Sequence, residues 1–230
     1  MDSWQTAQSG PTVFIVDGDS TGRQTLDTQV GAMGLRTKTF RSAETFLATF
    51  DASTPGCLLV EVRMEEMSGL ELLERLVQNE IRLPTILVSA HGDVPTVVRA
   101  MKAGALNFLE RPCRDQELWE SLQEAIKTDQ SNRQRLAFSD TVSRRMARLT
   151  SGEREVLEML VDGASNKLIA AELGLSVRTI EVRRAKLMKK MKAESLAELV
   201  QMALRVEHSF GKPQGSQSKP PLSPPDKHTM

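Results

Sequence analysis

Charged and hydroxyl side chains follow short apolar segments at four places in the first half of the chain. They are Asp17 and Asp19, on either side of Gly18, after VFIV, then Glu61 within CLLVEV, Ser89 at the end of TILVS, and Arg111 after NFLE. Carboxylate oxygens are ligands that hard divalent cations prefer in proteins. An acidic cluster that faces one hydroxyl and one cation is a predicted binding site.

The segments that must position these side chains alternate between a pattern typical of strands and a pattern typical of helices. Short apolar runs predict strands at 13–16, 35–40, 57–62, 85–89 and 107–110. Apolar residues three and four apart predict helices at 21–33, 43–49, 69–79, 94–103 and 115–128. This alternation is typical of a doubly wound, flavodoxin-like α/β domain with a five-stranded parallel sheet. Ligands of such domains bind beyond the carboxyl ends of the strands, where the polar residues lie.

Length and charge favour two domains. The chain has 230 residues and a formal net charge of zero. Residues 11–128 carry 12 Lys or Arg against 17 Asp or Glu, whereas residues 133–207 carry 15 against 10. An acidic module followed by a basic one is the division expected when only the second faces a polyanion. Ordinary variation between two protein surfaces is the alternative.

Cysteine usage and hydropathy predict a cytoplasmic protein. Cys57 and Cys113 lie in apolar surroundings without the spacing of metal ligands, so we expect free thiols in a reducing compartment. The N-terminus lacks a signal-peptide pattern, and no apolar run approaches the roughly 18 residues of a membrane-spanning helix.

The basic half predicts a helix-turn-helix. Thr150 and Glu153 form a capping box that opens a helix through Leu160. A second helix from 165 to 173 is followed by a turn at Gly174 and a third helix capped by Ser176. The result is an all-α C-terminal domain.

The third helix has one apolar stripe and one basic outer face. The stripe contains Ile180, Leu187, Met188 and Met191 and should pack on the other helices. A helix of this kind suits the major groove of double-stranded DNA, where phosphates supply affinity and a few side chains read bases. A solvated amphipathic helix is the alternative. The predicted DNA-binding residues are Lys167, Ser176, Arg178, Thr179, Glu181, Val182, Arg183, Ala185, Lys186 and Lys189.

Five segments describe the whole chain. We expect a disordered N-terminus at 1–10, an α/β domain at 11–128, a helical linker at 129–147, a DNA-binding domain at 148–207 and a disordered Pro-rich tail at 208–230.

The C-terminal half resembles the LuxR/FixJ type of helix-turn-helix. The pattern is matched at LTSGEREVLEMLVDGASNKLIAAELGLSVRTIEV and at the following KLMKKMKAESLAELVQMAL. The resemblance implies base reading from Glu181, Val182 and Ala185, with flanking basic residues on phosphate. It also implies that the last helix, Ser195 to Val206, forms a dimer contact on DNA. The apolar residues of that helix could equally belong to the local core.

The N-terminal half resembles the receiver domain of FixJ-like response regulators. The matching segments are VFIVDGDS, CLLVEVRMEEMSGLELLERL and LVSAHGDVPTVVRAMKAGALNFLERP. Such domains accept a phosphoryl group on an aspartate at the end of the third strand, and an acidic pair after the first strand holds Mg²⁺. A hydroxyl and a lysine sense the new charge, and an aromatic residue swings with the hydroxyl.

This chain departs from that pattern at three functional positions. Glu61 stands at the acceptor position, where its extra methylene displaces the carboxylate by roughly 1.5 Å. Gly18 replaces one carboxylate of the acidic pair, and Arg111 replaces the lysine. Ser89 retains the hydroxyl, and Phe108 retains the aromatic ring. We expect no bound cofactor, and Mg²⁺ binding that is absent or weak at Asp17, Asp19 and Glu61.

These substitutions lead to the hypothesis of an atypical response regulator that works without phosphate. An ion pair between Glu61 and Arg111 would hold the receiver in one conformation. A simpler interpretation is that Glu61 only accepts hydrogen bonds from nearby backbone N–H groups.

Two rival hypotheses remain open. In the first, the receiver keeps weakened, Mg²⁺-dependent phosphoacceptor chemistry. In the second, its α4-β5-α5 face binds a protein partner and gates DNA binding. The leading hypothesis is a non-enzymatic transcription regulator that forms a homodimer through the receiver, through the helix from Ser195 to Val206, or through both.

Overall fold

A computed structural model of the chain describes residues 10–90 and 92–209, with side chains described as far as 205. The packing divides them into two compact units, residues 10–136 and residues 137–209. Disorder is predicted at 1–10 and 208–230, and apart from residues 10, 208 and 209 these segments lie outside the described residues. The predicted start of the tail at 208 is wrong, because residues 208 and 209 belong to the last helix.

The first unit is a parallel five-stranded sheet with strand order β2-β1-β3-β4-β5. The strands are β1 Thr12–Val16, β2 Arg36–Phe40, β3 Gly56–Glu61, β4 Thr85–Ser89 and β5 Asn107–Glu110. All residues of β1 and β4 are buried because helices cover both faces of the sheet. The predicted fold class is confirmed.

The helices of this unit follow the strands in alternation. They are α1 Ser20–Ala32, α2 Ala43–Thr49, α3 Gly69–Gln78, α4 Val94–Lys102 and the start of α5 Asp115–Met146. One apolar cluster joins Leu26 and Val30 of α1 to Leu118 and Leu122 of α5 beneath the sheet. A second cluster packs α2 and α3 on the other face.

The second unit contains helices α6 Ser151–Val161, α7 Asn166–Glu172, α8 Val177–Met191 and α9 Leu196–Ser209. The predicted capping box at the start of α6 is present, because Thr150 Oγ1 accepts from Glu153 N and Glu153 Oε2 accepts from Thr150 N. Gly174 adopts a positive φ of 63° in the turn before α8. Ile180, Leu187 and Met191 of α8 are buried, as their spacing predicts.

Helix α5 runs without interruption through the segment predicted as a linker. The division between the two units falls inside it, between residues 136 and 137, whereas the sequence places domain limits at 128 and 148. Residues 129–136 of α5 are therefore part of the first unit.

Arg133 fixes this part of α5 to the loop between α2 and β3. Its guanidinium contacts Asp129 Oδ2 at 2.7 Å and donates to the carbonyl oxygens of Ala52, Ser53 and Thr54 at 2.6–3.0 Å. Asp129 is almost fully buried and also accepts from Gly56 N at 2.9 Å. The composition of the linker gives no indication of this contact, because it pairs residues about eighty positions apart.

Within the described residues, no helix combines the length and the low charge needed to cross a membrane.

We expect Arg133→Ala to lower the free energy of unfolding of the first unit by about 3 kcal/mol, because the buried Asp129 carboxylate loses its cation. Urea unfolding followed by Trp119 fluorescence in a Trp4→Phe background measures this change. Arg99→Ala is the matched control: it breaks the exposed Arg99–Glu74 pair and should change stability by about 0.5 kcal/mol or less. Equal effects of the two substitutions would contradict the prediction.

Candidate functional site

The strand order brings the predicted receiver residues to one edge of the sheet. Asp17 follows β1, Glu61 ends β3, Ser89 ends β4 and Arg111 follows β5. Parallel pairing sets Glu61 beside Val88 and Ser89 beside Glu110. Arg111 N continues the ladder by donating to Ser89 O at 2.9 Å. The carboxyl ends of these four strands therefore form a single polar pocket.

Asp17 is the buried anion of the pocket, with an exposed fraction of 1%. Its Oδ1 accepts from Asp19 N at 2.8 Å, and its Oδ2 accepts from Arg111 Nη2 at 2.6 Å. The backbone oxygen of Asp17 also accepts from Arg23 Nη1 at 2.6 Å. Both carboxylate oxygens thus have partners within the protein.

Arg111 lies between the two acidic side chains. Its Nε is 3.3 Å from Glu61 Oε2, so the predicted Glu61–Arg111 ion pair is present. The Nε–H does not meet hydrogen-bond geometry toward that oxygen, which makes the contact one of charge alone. The shorter contact to Asp17 shows that Asp17, rather than Glu61, is the principal partner of Arg111.

Glu61 is half-buried and sits in an environment that disfavours its charge. Burial raises the pKa of the Glu61 carboxyl above its ordinary value of 4.5, and the charge of Asp17 acts in the same direction. The backbone N–H of Arg63, which donates to Oε1 at 3.3 Å, and the charge of Arg111 oppose this rise. Glu61 therefore combines the ion pair with the backbone hydrogen bond of the simpler interpretation.

The hydroxyl and the aromatic residue lie on the β4-β5 side of the pocket. Ser89 is 1% exposed. Phe108 is half-buried and packs on the core beside α4. A Cβ on Gly92 would come within 2.9 Å of the Phe108 ring, so Gly92 gives this ring room at the rim.

The donor set around Asp17 does not match what Mg²⁺ requires. Gly18 supplies no carboxylate, and Asp19 uses Oδ2 to cap α1 at Gly22 N at 2.7 Å. Asp17 and Glu61 both face the cation of Arg111. No group of three carboxylate, imidazole or thiolate side chains that could hold a metal ion occurs in residues 10–90 and 92–209. Mg²⁺ prefers several unoccupied oxygens in octahedral geometry. Absent or weak binding at Asp17, Asp19 and Glu61 stays a prediction.

Sequence reasoning missed two residues of this pocket, Gly22 and Arg23. Gly22 is buried in the first turn of α1, and a Cβ there would lie 2.1 Å from Arg111 Nη1. A glycine inside a predicted helix is a signal of close approach that the sequence does contain. The contact of Arg23 with a backbone oxygen has no such signal.

In the second unit, helix α8 presents part of the predicted DNA-binding set to solvent. Val182 is 43% exposed. The other exposed members are Lys167 on α7, the cap residue Ser176, and Arg178, Glu181, Ala185, Lys186 and Lys189 on α8. Thr179 is half-buried, and its N–H donates to Ser176 Oγ at 3.1 Å. Ser176 and Thr179 therefore have a structural role at the start of α8.

Three basic side chains of α8 instead contact neighbouring helices. Arg183 is half-buried and lies over Gly152 of α6, where a Cβ would meet its guanidinium at 2.6 Å. Arg184 donates to Asn166 Oδ1 on α7 at 3.2 Å. Lys190 contacts the buried Glu153 carboxylate at 2.6 Å, and this contact and the Thr150 N–H hold the pKa of Glu153 below its usual value. The density of positive charge on α8 overstates the number of cations that face outward.

Helix α9 has a buried side and an exposed side, and its dimer contact stays a prediction. Leu199, Met202 and Ala203 belong to the apolar core of the second unit. Leu196 and Leu204 are 36% and 38% exposed. A dimer contact on this helix would therefore involve Leu196 and Leu204 rather than Leu199 and Ala203.

Fold and pocket together define a response regulator with a helix-turn-helix output domain. Residues 13–123 match the family model of the response regulator receiver domain, and residues 147–203 match that of bacterial regulatory proteins of the luxR family. The chain belongs to the FixJ family of DNA-binding response regulators.

Relatives and solved structures of this family resemble the chain over most of its length. The transcriptional regulatory protein FixJ of Bradyrhizobium diazoefficiens is 39% identical over 193 residues, which cover 84% of this chain and 94% of that protein. The response regulator StyR has a TM-score of 0.74 at 37% identity and covers 85% of this chain and 99% of its own. Full-length FixJ from B. japonicum gives 0.52 at 38% identity, with coverages of 86% and 98%.

The raised pKa of Glu61 predicts a pH dependence of stability. The folded chain binds this proton more tightly than the unfolded chain. The stabilisation that protonated Glu61 contributes to the free energy of unfolding is therefore fully present below pH 4.5 and is lost as pH rises through the folded-state pKa. We expect the free energy of unfolding of the native chain, relative to Glu61→Gln, to fall as pH rises above 4.5. Urea titrations at several pH values measure it. Glu110→Gln, at an exposed carboxylate, is the control, and an identical pH trend in both variants would contradict the assignment.

Lys186, which is exposed, and Lys190, which is paired with Glu153, should differ in their effect on DNA binding. Lys186→Ala should reduce the slope of log K against log salt concentration by about one, as expected for one lost phosphate contact. Lys190→Met should lower the thermal stability of the second unit but leave this slope unchanged, because Lys190 is paired with Glu153. Fluorescence anisotropy with a labelled random-sequence duplex measures the slope. Equal slope changes in both variants would contradict this distinction between Lys186 and Lys190.

Proposed function

We propose that this chain is a cytoplasmic transcription regulator, not an enzyme, whose DNA binding does not depend on phosphorylation of an aspartate. One observation carries the proposal: the acceptor position holds Glu61, and its carboxylate faces the guanidinium of Arg111, which also pairs with Asp17. An acidic pocket that already contains its own cation has no need of the metal ion that phosphoryl transfer requires.

The geometry of Glu61 supports this proposal. In-line phosphoryl transfer requires the nucleophilic oxygen to be placed within a fraction of an ångström. The Glu61 carboxylate is one methylene further from the backbone than an aspartate, and each of its oxygens has a partner, Arg63 N for Oε1 and Arg111 Nε for Oε2. Attack would require breaking at least one of these contacts.

The outward face of α8 supports DNA recognition of a defined chemistry. Val182 and Ala185 are apolar and exposed, which suits contact with thymine methyl groups. The Glu181 carboxylate can accept from the amino group of cytosine. Arg178, Lys186, Lys189 and Lys167 surround these residues with positive charge for phosphates.

An exposed apolar stripe on α4 supports dimerisation through the receiver. Val94, Val98 and Met101 are 75%, 44% and 48% exposed and follow one another at helical spacing. We assign this stripe to a contact with a second copy of the chain, with α9 adding Leu196 and Leu204. A protein partner that gates DNA binding through the same α4-β5-α5 face is the second candidate function, and the exposed stripe is the observation that favours it.

The proposal predicts that the purified chain forms no phosphoprotein when incubated with acetyl phosphate and Mg²⁺, as read by intact mass. A species carrying one phosphoryl group in good yield, and lost in Glu61→Gln, would overturn the proposal in favour of the weakened phosphoacceptor.

The matched control is the triple variant Glu61→Asp, Gly18→Asp, Arg111→Lys, which restores the receiver pattern and should accept the group. DNA binding measured before and after phosphodonor treatment should change in the triple variant and stay constant in the native chain. A phosphodonor-dependent change in the native chain would contradict the proposal independently of the mass measurement.

A further inference from the structure

Gly22 occupies a helical position where glycine is otherwise unfavourable. It lies in the first turn of α1, is buried, and has an ordinary helical backbone. Glycine at such a position destabilises a helix by about 1 kcal/mol relative to alanine. A Cβ at Gly22 would come within 2.1 Å of Arg111 Nη1, 3.2 Å of Arg111 Cζ and 2.8 Å of Asp17 Oδ2. The guanidinium of Arg111 therefore occupies the volume that any other residue at position 22 would fill.

The space at Gly22 suits an arginine in particular. A guanidinium is a broad planar group with five donors, whereas the ammonium of lysine is a compact point charge. Arg111 uses this breadth to reach Asp17 through Nη2 at 2.6 Å and Glu61 through Nε at 3.3 Å. Gly22 and Arg111 thus form a sterically matched pair of residues across α1 and the end of β5.

Positive charge from the protein surrounds the buried carboxylate. Arg111 contacts Asp17 from the β5 side, and Arg23 on α1 donates to the Asp17 backbone oxygen at 2.6 Å. A divalent metal ion entering this pocket would meet the guanidinium of Arg111, with that of Arg23 on the backbone oxygen of Asp17, and would find both carboxylate oxygens of Asp17 engaged. Repulsion between like charges at such distances is strong in a partly buried site.

We propose that Arg111 is an internal cation that takes the place of a dissociable metal ion in this pocket, and that Gly22 is the residue that admits it. A divalent cation and the Arg111 guanidinium are then mutually exclusive ligands of Asp17 and Glu61. This inference deepens the proposed phosphate-independent function, since it names what balances the charge of the acidic pocket at all times.

The first test uses Mg²⁺ alone as the probe. The melting temperature of the full chain should not depend on Mg²⁺, compared with a monovalent salt at equal ionic strength, whereas that of Arg111→Ala should rise with Mg²⁺ because two carboxylates have lost their cation. Arg99→Ala, which removes an exposed arginine from the same unit, should behave as the native chain. A Mg²⁺-dependent rise in the native chain as large as in Arg111→Ala would overturn the inference, as would no rise in folded Arg111→Ala.

The second test concerns Gly22 and remains informative if Arg111→Ala does not fold. Gly22→Ala should lower the melting temperature of the native chain, because the new methyl group displaces the guanidinium from Asp17. In an Arg111→Lys background the loss should be smaller or become a gain, because the narrower side chain leaves the space free. Gly31→Ala, at a helical glycine of α1 with open space around it, should have the same effect in both backgrounds. Additive effects of Gly22→Ala and Arg111→Lys would overturn the pairing.

The outcomes separate this inference from the proposed function. A native chain that accepts a phosphoryl group but shows no Mg²⁺ response contradicts the proposed function only. A native chain that binds Mg²⁺ but accepts no phosphoryl group contradicts only the inference that Arg111 replaces a metal ion.

Discussion

The receiver depends on the pairing of one buried carboxylate with one arginine. Asp17 follows β1 near the middle of the sheet, and Arg111 follows β5 at its edge. A carboxylate that is 1% exposed is destabilising by several kcal/mol unless a cation and hydrogen-bond donors satisfy it. Because the guanidinium must cross above β3 and β4 to reach Asp17, Glu61 and Ser89 lie along the contact. The other side chains of the pocket are therefore arranged around the Asp17–Arg111 pair.

The pairing of a buried carboxylate with a cation recurs twice in the described residues. Asp129 is paired with Arg133 where α5 meets the start of β3, and Glu153 is paired with Lys190 where α6 meets α8. Each carboxylate is almost fully buried and also accepts a backbone N–H. Removing the cation of such a pair leaves a buried carboxylate without its partner, whereas exposed pairs such as Arg144–Asp140 contribute little. Three ion pairs with buried carboxylates thus fix α5, α8 and the receiver pocket.

Sequence patterns predicted the helices and strands and four residues of the site, but not Gly22, Arg23 or the contacts within the site. Apolar runs located β1, β3 and β4 because nearly all of their residues are buried, and strand ends located Asp17, Glu61, Ser89 and Arg111. The preference of Arg111 for Asp17 depends on side-chain reach across the sheet, which spacing does not encode. On α8, periodicity separated Ile180 from Val182 correctly, yet Arg183 turned inward because Gly152 on α6 leaves room for it. The contact of Arg133 with Asp129 is local, but its contacts with the α2-β3 loop are not.

An internal cation changes which surfaces of the molecule a regulatory signal can act on. A ligand shifts a conformational equilibrium only through a difference in affinity between two states, and its effect follows its concentration. A covalently attached guanidinium has a fixed local concentration, so the occupancy of the acidic pocket cannot report a change in the cell. Any signal that alters DNA binding must then act at another surface. Within the described part of the receiver, Val94, Val98 and Met101 on α4 form an exposed apolar stripe that a second molecule can cover. The stabilisation from such binding depends on the concentration of that molecule, so this surface can respond to a change in the cell.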